Sequence, residues 1–254
     1  MSEGLDPRAA RWRRDGAAAP ALVVRWEPDL MARAVSDELA RHVARGSFVD
    51  EQRYRRAADL LYGLPPEQRE AEFQALDVRM AREFGLHTGL EDALEQAGWP
   101  AGAVAEVVVT PATGRGEGAD LRPRAGAGAV VLLALEPARL GTRALAPFLR
   151  HELMHISDLL DPEFGYDGDR RLGDGVGTEV RVRERYHALW CASIDARLAT
   201  AGRADPALAE ASASRAVRTL GLEPGDLPAA QSWLAERPTH SRLRACAESP
   251  GLLR

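Results

Sequence analysis

The sequence predicts an α+β fold, mainly helical, with a short β-sheet placed before one particular helix at residues 142–160. Three observations lead there. Apolar residues recur at spacings of three and four along most of the chain, the period of one helix face. Two short runs break that period, 104–110 and 129–135, and both are rich in Val or Leu. Clusters of Gly, Pro and Asp punctuate the periodic segments.

Taken in order, residues 1–20 are polar and Arg-rich and read as a flexible tail, with Arg11, Arg13 and Arg14 as solvated charge. Residues 21–26 read as a short strand. Helices dominate 27–100. The first covers 29–45, with Leu30, Ala34, Leu39 and Val43 as a loose stripe. Asp50 is placed to cap the second, which Gly63, Pro65 and Pro66 stop. Phe73, Leu76, Met80 and Phe84 mark the third, and residues 88–97 the fourth.

The strands 104–110 and 129–135 are joined by a Gly- and Arg-rich stretch, which reads as a hairpin connection. Its glycines Gly114, Gly116 and Gly118 lack the spacing of a phosphate loop. A helix over 142–160 follows, stopped by Pro162. Residues 163–178 contain five Gly and form a loop, a lid or a long connection. A long helix over 179–200 comes next. Further helices are expected over 205–220 and 229–236, with Thr239 capping a last one. The whole of 21–254 reads as one domain, with a helical part 27–100, a core 104–200 and closing helices 205–254.

Composition excludes several functions. The 254 residues carry 33 basic and 38 acidic side chains and a net charge of -5. That balance argues against a nucleic-acid partner held by bulk charge. Every basic residue is Arg, and there is no Asn. Schiff-base lysine chemistry, a P-loop lysine and N-glycosylation are therefore impossible. Two Cys, Cys191 and Cys246, give no disulfide framework. No apolar run approaches the roughly 20 residues of a membrane helix. The apolar stretch 17–24 is short and interrupted by Pro20, unlike a signal peptide. A cytoplasmic protein without membrane contact is expected.

One motif carries chemistry. His151-Glu152-Leu153-Met154-His155 is H-E-x-x-H. On a helix its two histidines lie one turn apart on one face, where two imidazoles can hold one zinc ion. Glu152 lies beside them, within reach of a water on the metal. The apolar flank Leu145, Phe148, Leu149, Leu153, Ile156, Leu159 and Leu160 buries this helix. Two His and a Glu on such a helix call for a partner.

With this motif the sequence resembles the zincin metallopeptidases and, more narrowly, a group of uncharacterised bacterial zincin-like proteins. The resemblance rests on residues 151–155, Asp158, Leu160-Asp161-Pro162, Phe164-Gly165-Tyr166, Leu189-Trp190, Ile194-Asp195 and Arg197-Leu198. It covers 104–198. It implies a zincin-like domain, a Zn2+ cofactor and hydrolysis of a peptide or protein substrate, with Glu152 as general base. It also implies an edge strand beside the cleft, for which 129–135 is the candidate.

A catalytic zinc takes three protein ligands and keeps one position open. His151 and His155 are two. Asp195 is favoured as the third, since its helix presents the small residues Ala188, Cys191, Ala192 and Ala196. An acid there is a ligand, a partner of an Arg, or an acceptor for a zinc-bound imidazole. Asp161 and Glu179 are the alternatives, followed by Glu184 and Cys191. Tyr166 or His187 is a candidate donor to the oxyanion. Asp158 is a candidate to orient His155. The rival to a peptidase is a binding or regulatory protein that keeps the fold and turns over little.

Overall fold

The computed structural model describes residues 9–12, 22–114, 116–126, 128–168 and 176–253. The protein is α+β. Its contacts group the chain into two compact units, Met1–Leu149 and Arg150–Arg254, where the sequence suggests one domain.

Among the described residues, the first unit holds all the strands. They are β1 (Ala9–Trp12), β2 (Leu22–Trp26), β3 (Val104–Pro111), β4 (Gly118–Arg122) and β5 (Ala129–Leu135). The sheet order is β1-β2-β3-β5-β4. β2 pairs with β3 and β3 with β5 in parallel, while β1 and β4 are antiparallel to their neighbours. Val107 faces Val131 and Val109 faces Leu133 in the register, and all four side chains are buried.

Three expectations change here. Residues 9–12, expected within the tail, pair with β2, Ala9 opposite Arg25. The connection 111–128 contains a strand, β4, which forms the hairpin with β5. β5 is therefore interior, and β4 is the edge. The physical reason is that β3 and β5 are parallel. Parallel neighbours need a crossover rather than a tight turn, and the Gly-rich crossover has room for another strand. Gly118, Ala119 and Asp120 hide it from a search for β-branched residues.

Among the described residues, this unit also holds α1 (Pro28–Ala44), α2 (Val49–Leu61), α3 (Pro66–Glu83) and α4 (Thr88–Ala97). α1 buries Leu30, Met31, Ala34, Val35 and Leu39. Gly98 closes α4 in the left-handed conformation, φ 66°, which favours glycine. Asp50, expected as a cap, lies in the first turn of α2, and its carboxylate meets His42 Nδ1 at 2.8 Å.

The division between the units falls within α5 (Leu145–Leu160), which carries the H-E-x-x-H residues. The second unit continues with α6 (Val176–Thr200), α7 (Pro206–Leu220), α8 (Leu227–Ala235) and α9 (His240–Glu248). Asp205 caps α7 through Ala207 N at 2.9 Å. Thr239 caps α9, as expected, by accepting from Arg242 N. The core of this unit joins Leu189, Ile194 and Leu198 of α6 to Val217 and Leu220 of α7, Leu234 of α8 and Leu243 of α9. Each fully buried aliphatic side chain contributes about 1.5–3 kcal/mol. That packing, not local propensity, fixes which face of α6 turns towards α5. Among the described residues no helix is long and apolar enough to cross a membrane.

Candidate metal centre

The helical period sets His151 and His155 one turn apart on α5. Their Nε2 atoms are 3.2 Å from each other. His155 is buried and His151 half-buried. From α6, Cys191 brings its Sγ to 3.6 Å from His155 Nε2. The three ligand atoms lie within 4.8 Å of one another, the one such group among the described residues.

These separations test the fit to a metal. A tetrahedral zinc with N at about 2.05 Å and S at about 2.3 Å sets its ligand atoms about 3.3 Å (N to N) and about 3.6 Å (N to S) apart. The observed 3.2 and 3.6 Å match both. Two imidazoles and a thiolate are also a donor set that zinc accepts.

Asp195, favoured as the third ligand, takes a different place. Its Oδ1 meets His151 Nδ1 at 2.7 Å. It lies one turn beyond Cys191 on α6, so it reaches the outer nitrogen of the ring while the thiol reaches the inner side. This is the acceptor role open to an acid at that position. It holds the proton on Nδ1 and leaves the Nε2 lone pair for a metal.

Ionisation follows the same geometry. Burial disfavours the charged form of His151. The hydrogen bonds to Asp195 and Cys191 outweigh it and raise the pKa to about 10. Burial likewise opposes a thiolate at Cys191. Hydrogen bonds from His151, His155 and His187 together overcome it and lower the pKa to about 4. Both shifts favour a thiolate–imidazolium pair in the metal-free centre.

His187 stands one turn before Cys191 on α6. Both its ring nitrogens are 3.7 Å from Sγ, and its ring stacks over His155 at 6.3 Å. Its hydrogen bond to Cys191 raises its pKa, and the carboxylate of Glu152 acts in the same direction. Glu152 thus stands close enough to His187 for its charge to act there.

The other expected residues lie elsewhere. Asp158 does not orient His155 directly. It is fully buried, takes both terminal nitrogens of Arg197, and accepts from Trp190 Nε1 at 2.8 Å. Trp190 then meets His155 at 4.4 Å with the rings nearly perpendicular, so the support from Asp158 is relayed through an indole. Asp161 is paired with Arg237 and accepts from Glu163 N. Glu179 pairs with Arg183 one turn along α6, and Glu184 is exposed. Tyr166, 47% exposed, stacks on Trp190 at 6.1 Å and meets the His240 ring edge-on. Residues 169–175 of the loop 163–178 lie outside the described residues.

Two residues carry more than the sequence suggests. Cys191 ranks low as a ligand there, yet it completes the cluster. A signal exists: His187-x-x-x-Cys191 repeats the spacing of His151-x-x-x-His155. Arg197 has no comparable signal, because its role depends on a buried acid on another helix. Comparison with known proteins finds no likeness: no family model matches the chain, and neither a curated protein nor a solved structure is significantly similar to it.

Proposed function

We propose that the protein is a zinc-dependent metallopeptidase with a zincin-like domain, acting on a peptide or protein substrate. The observation that supports this most is the cluster of His151, His155 and Cys191, in which His155 Nε2 stands at zinc-ligand separations from both His151 Nε2 and Cys191 Sγ, with Glu152 next in sequence to the first ligand. Zinc, when bound by these three, supplies the charge that polarises a scissile carbonyl and acidifies water.

The chain's own groups do the rest. Asp195 holds the Nδ1 proton of His151 and so keeps Nε2 available. Glu152 takes the proton of the attacking water at its carboxylate and passes it to the leaving amine. His187, whose protonated form Cys191 and Glu152 favour, donates towards the developing oxyanion. Trp190 packs on His155 and shields it from solvent. A thiolate ligand needs a reducing setting, which suits a cytoplasmic location.

The test begins with elemental mass spectrometry of the purified full chain beside a His151→Ala, His155→Ala double variant. One zinc per chain, lost in the variant, is the expected result. A peptide library then reads hydrolysis, with Glu152→Gln as the control that keeps metal and loses activity. Failure to bind zinc even after reconstitution overturns the proposal. Zinc without hydrolysis leaves the binding or regulatory alternative.

A further inference from the structure

Four potential ligands in the second unit come as two matched pairs. His151 and His155 project from α5 at i and i+4, and His187 and Cys191 project from α6 at the same spacing. Facing helices that each supply such a pair are a standard way to enclose one metal ion. Three of the four are already gathered, and His187 is not in that set. Its ring nitrogens nevertheless stand 3.7 Å from Cys191 Sγ, close to the roughly 3.6 Å between N and S on a tetrahedral zinc.

Resting on the reading of His151, His155 and Cys191 as ligands, we propose that His187 is a fourth, displaceable ligand that closes the metal centre in the resting protein. The ring is exposed, so it exchanges between metal and water without breaking a packed core. Both ring nitrogens are equally near the sulfur, so either one can serve as the ligand atom when the ring turns inward. The closed state has three imidazoles and one thiolate and leaves no position for water. Glu152 then has no proton to take. The open state frees that position and leaves His187 beside Glu152. Substrate carbonyl and His187 thus compete for one place, and turnover is gated by that exchange.

Cobalt(II) in place of zinc tests this in the full chain. The wild type is expected to show a sulfur-to-cobalt charge-transfer band in the near ultraviolet and the intense visible bands of a tetrahedral centre. In His187→Ala the charge-transfer band stays, the visible bands change, and cobalt binds about 100-fold more weakly or worse, the share of one ligand in a four-ligand site. Added imidazole restores the wild-type visible spectrum in the variant. Should circular dichroism show that His187→Ala does not fold, His187→Gln, which keeps the bulk, makes the same test. An unchanged visible spectrum and affinity in the variant, with no response to imidazole, overturns the inference while the three-ligand centre stands. Absence of the charge-transfer band in the wild type overturns the three-ligand reading itself, and the inference with it.

Discussion

Asp195 Oδ1 lies 2.7 Å from His151 Nδ1 across two helices, and this bond decides which ring nitrogen of His151 is free. A carboxylate in that position acts on a metal through the ligand it holds. Asp195→Asn is therefore expected to weaken zinc about 10–100-fold while one zinc per chain still binds at saturation. Cys191→Ala is expected to weaken it further. Competition with a chromophoric chelator measures both. The opposite ranking would make Asp195 the ligand and Cys191 the bystander.

Zinc affinity is expected to depend on pH through His151. At pH 7 its pKa of about 10 keeps a proton that the metal must displace, whereas Cys191, at about 4, has already lost its own. Binding then releases about one proton per zinc from His151, and through it affinity rises about tenfold per pH unit up to about pH 10. Calorimetry in two buffers of different ionisation enthalpy counts the proton. A release near zero at pH 7 contradicts the pairing.

The metal-free protein carries a stability signature of the same pair. His151 is raised from 6.5 to about 10, so its contribution is complete below pH 6.5 and is lost as pH rises through about 10. Cys191 is lowered from 9.0 to about 4, so its contribution is complete above pH 9.0 and is lost as pH falls through about 4. Between 6.5 and 9.0 the two slopes oppose, and stability is flat. Urea midpoints with chelator present are expected to fall on both sides of that plateau. Cys191→Ser should abolish the thiolate's share of the acid-side fall, and an unaltered acid limb would show that other groups cause it.

Asp158 and Arg197 form a buried ion pair that also holds the Trp190 N–H. Removing one charge strands the other. Asp158→Ala is expected to cost about 3–5 kcal/mol of unfolding free energy by urea titration. A loss below about 1 kcal/mol would mean that water reaches Arg197 and the pair is not structural.

The helices of the second unit were legible because their signals are local: Pro162 as a stop, Thr239 as a cap, and an apolar period through 145–160. The α+β class followed from the same patterns. The sheet was less legible. β4 lacks β-branched residues, and the parallel pairing of β3 with β5 is a long-range choice that neither strand encodes alone. At the centre, His151, Glu152 and His155 sit on one short motif. Cys191 and Asp195 depend on the rotation of α6, set by buried Leu189, Ile194 and Leu198. A one-turn difference along that helix decides which of the two faces the inner nitrogens. A sequence shows the turn and not the rotation.

The perpendicular contact of Trp190 with His155 has an optical consequence. An indole in edge contact with an imidazole changes its emission when a cation takes the lone pair of that imidazole. The fluorescence of this one tryptophan, isolated as the difference from Trp190→Phe, thus reads metal at the second histidine without any added label. The chain carries its own indicator of occupancy, placed one ring away from the event it reports.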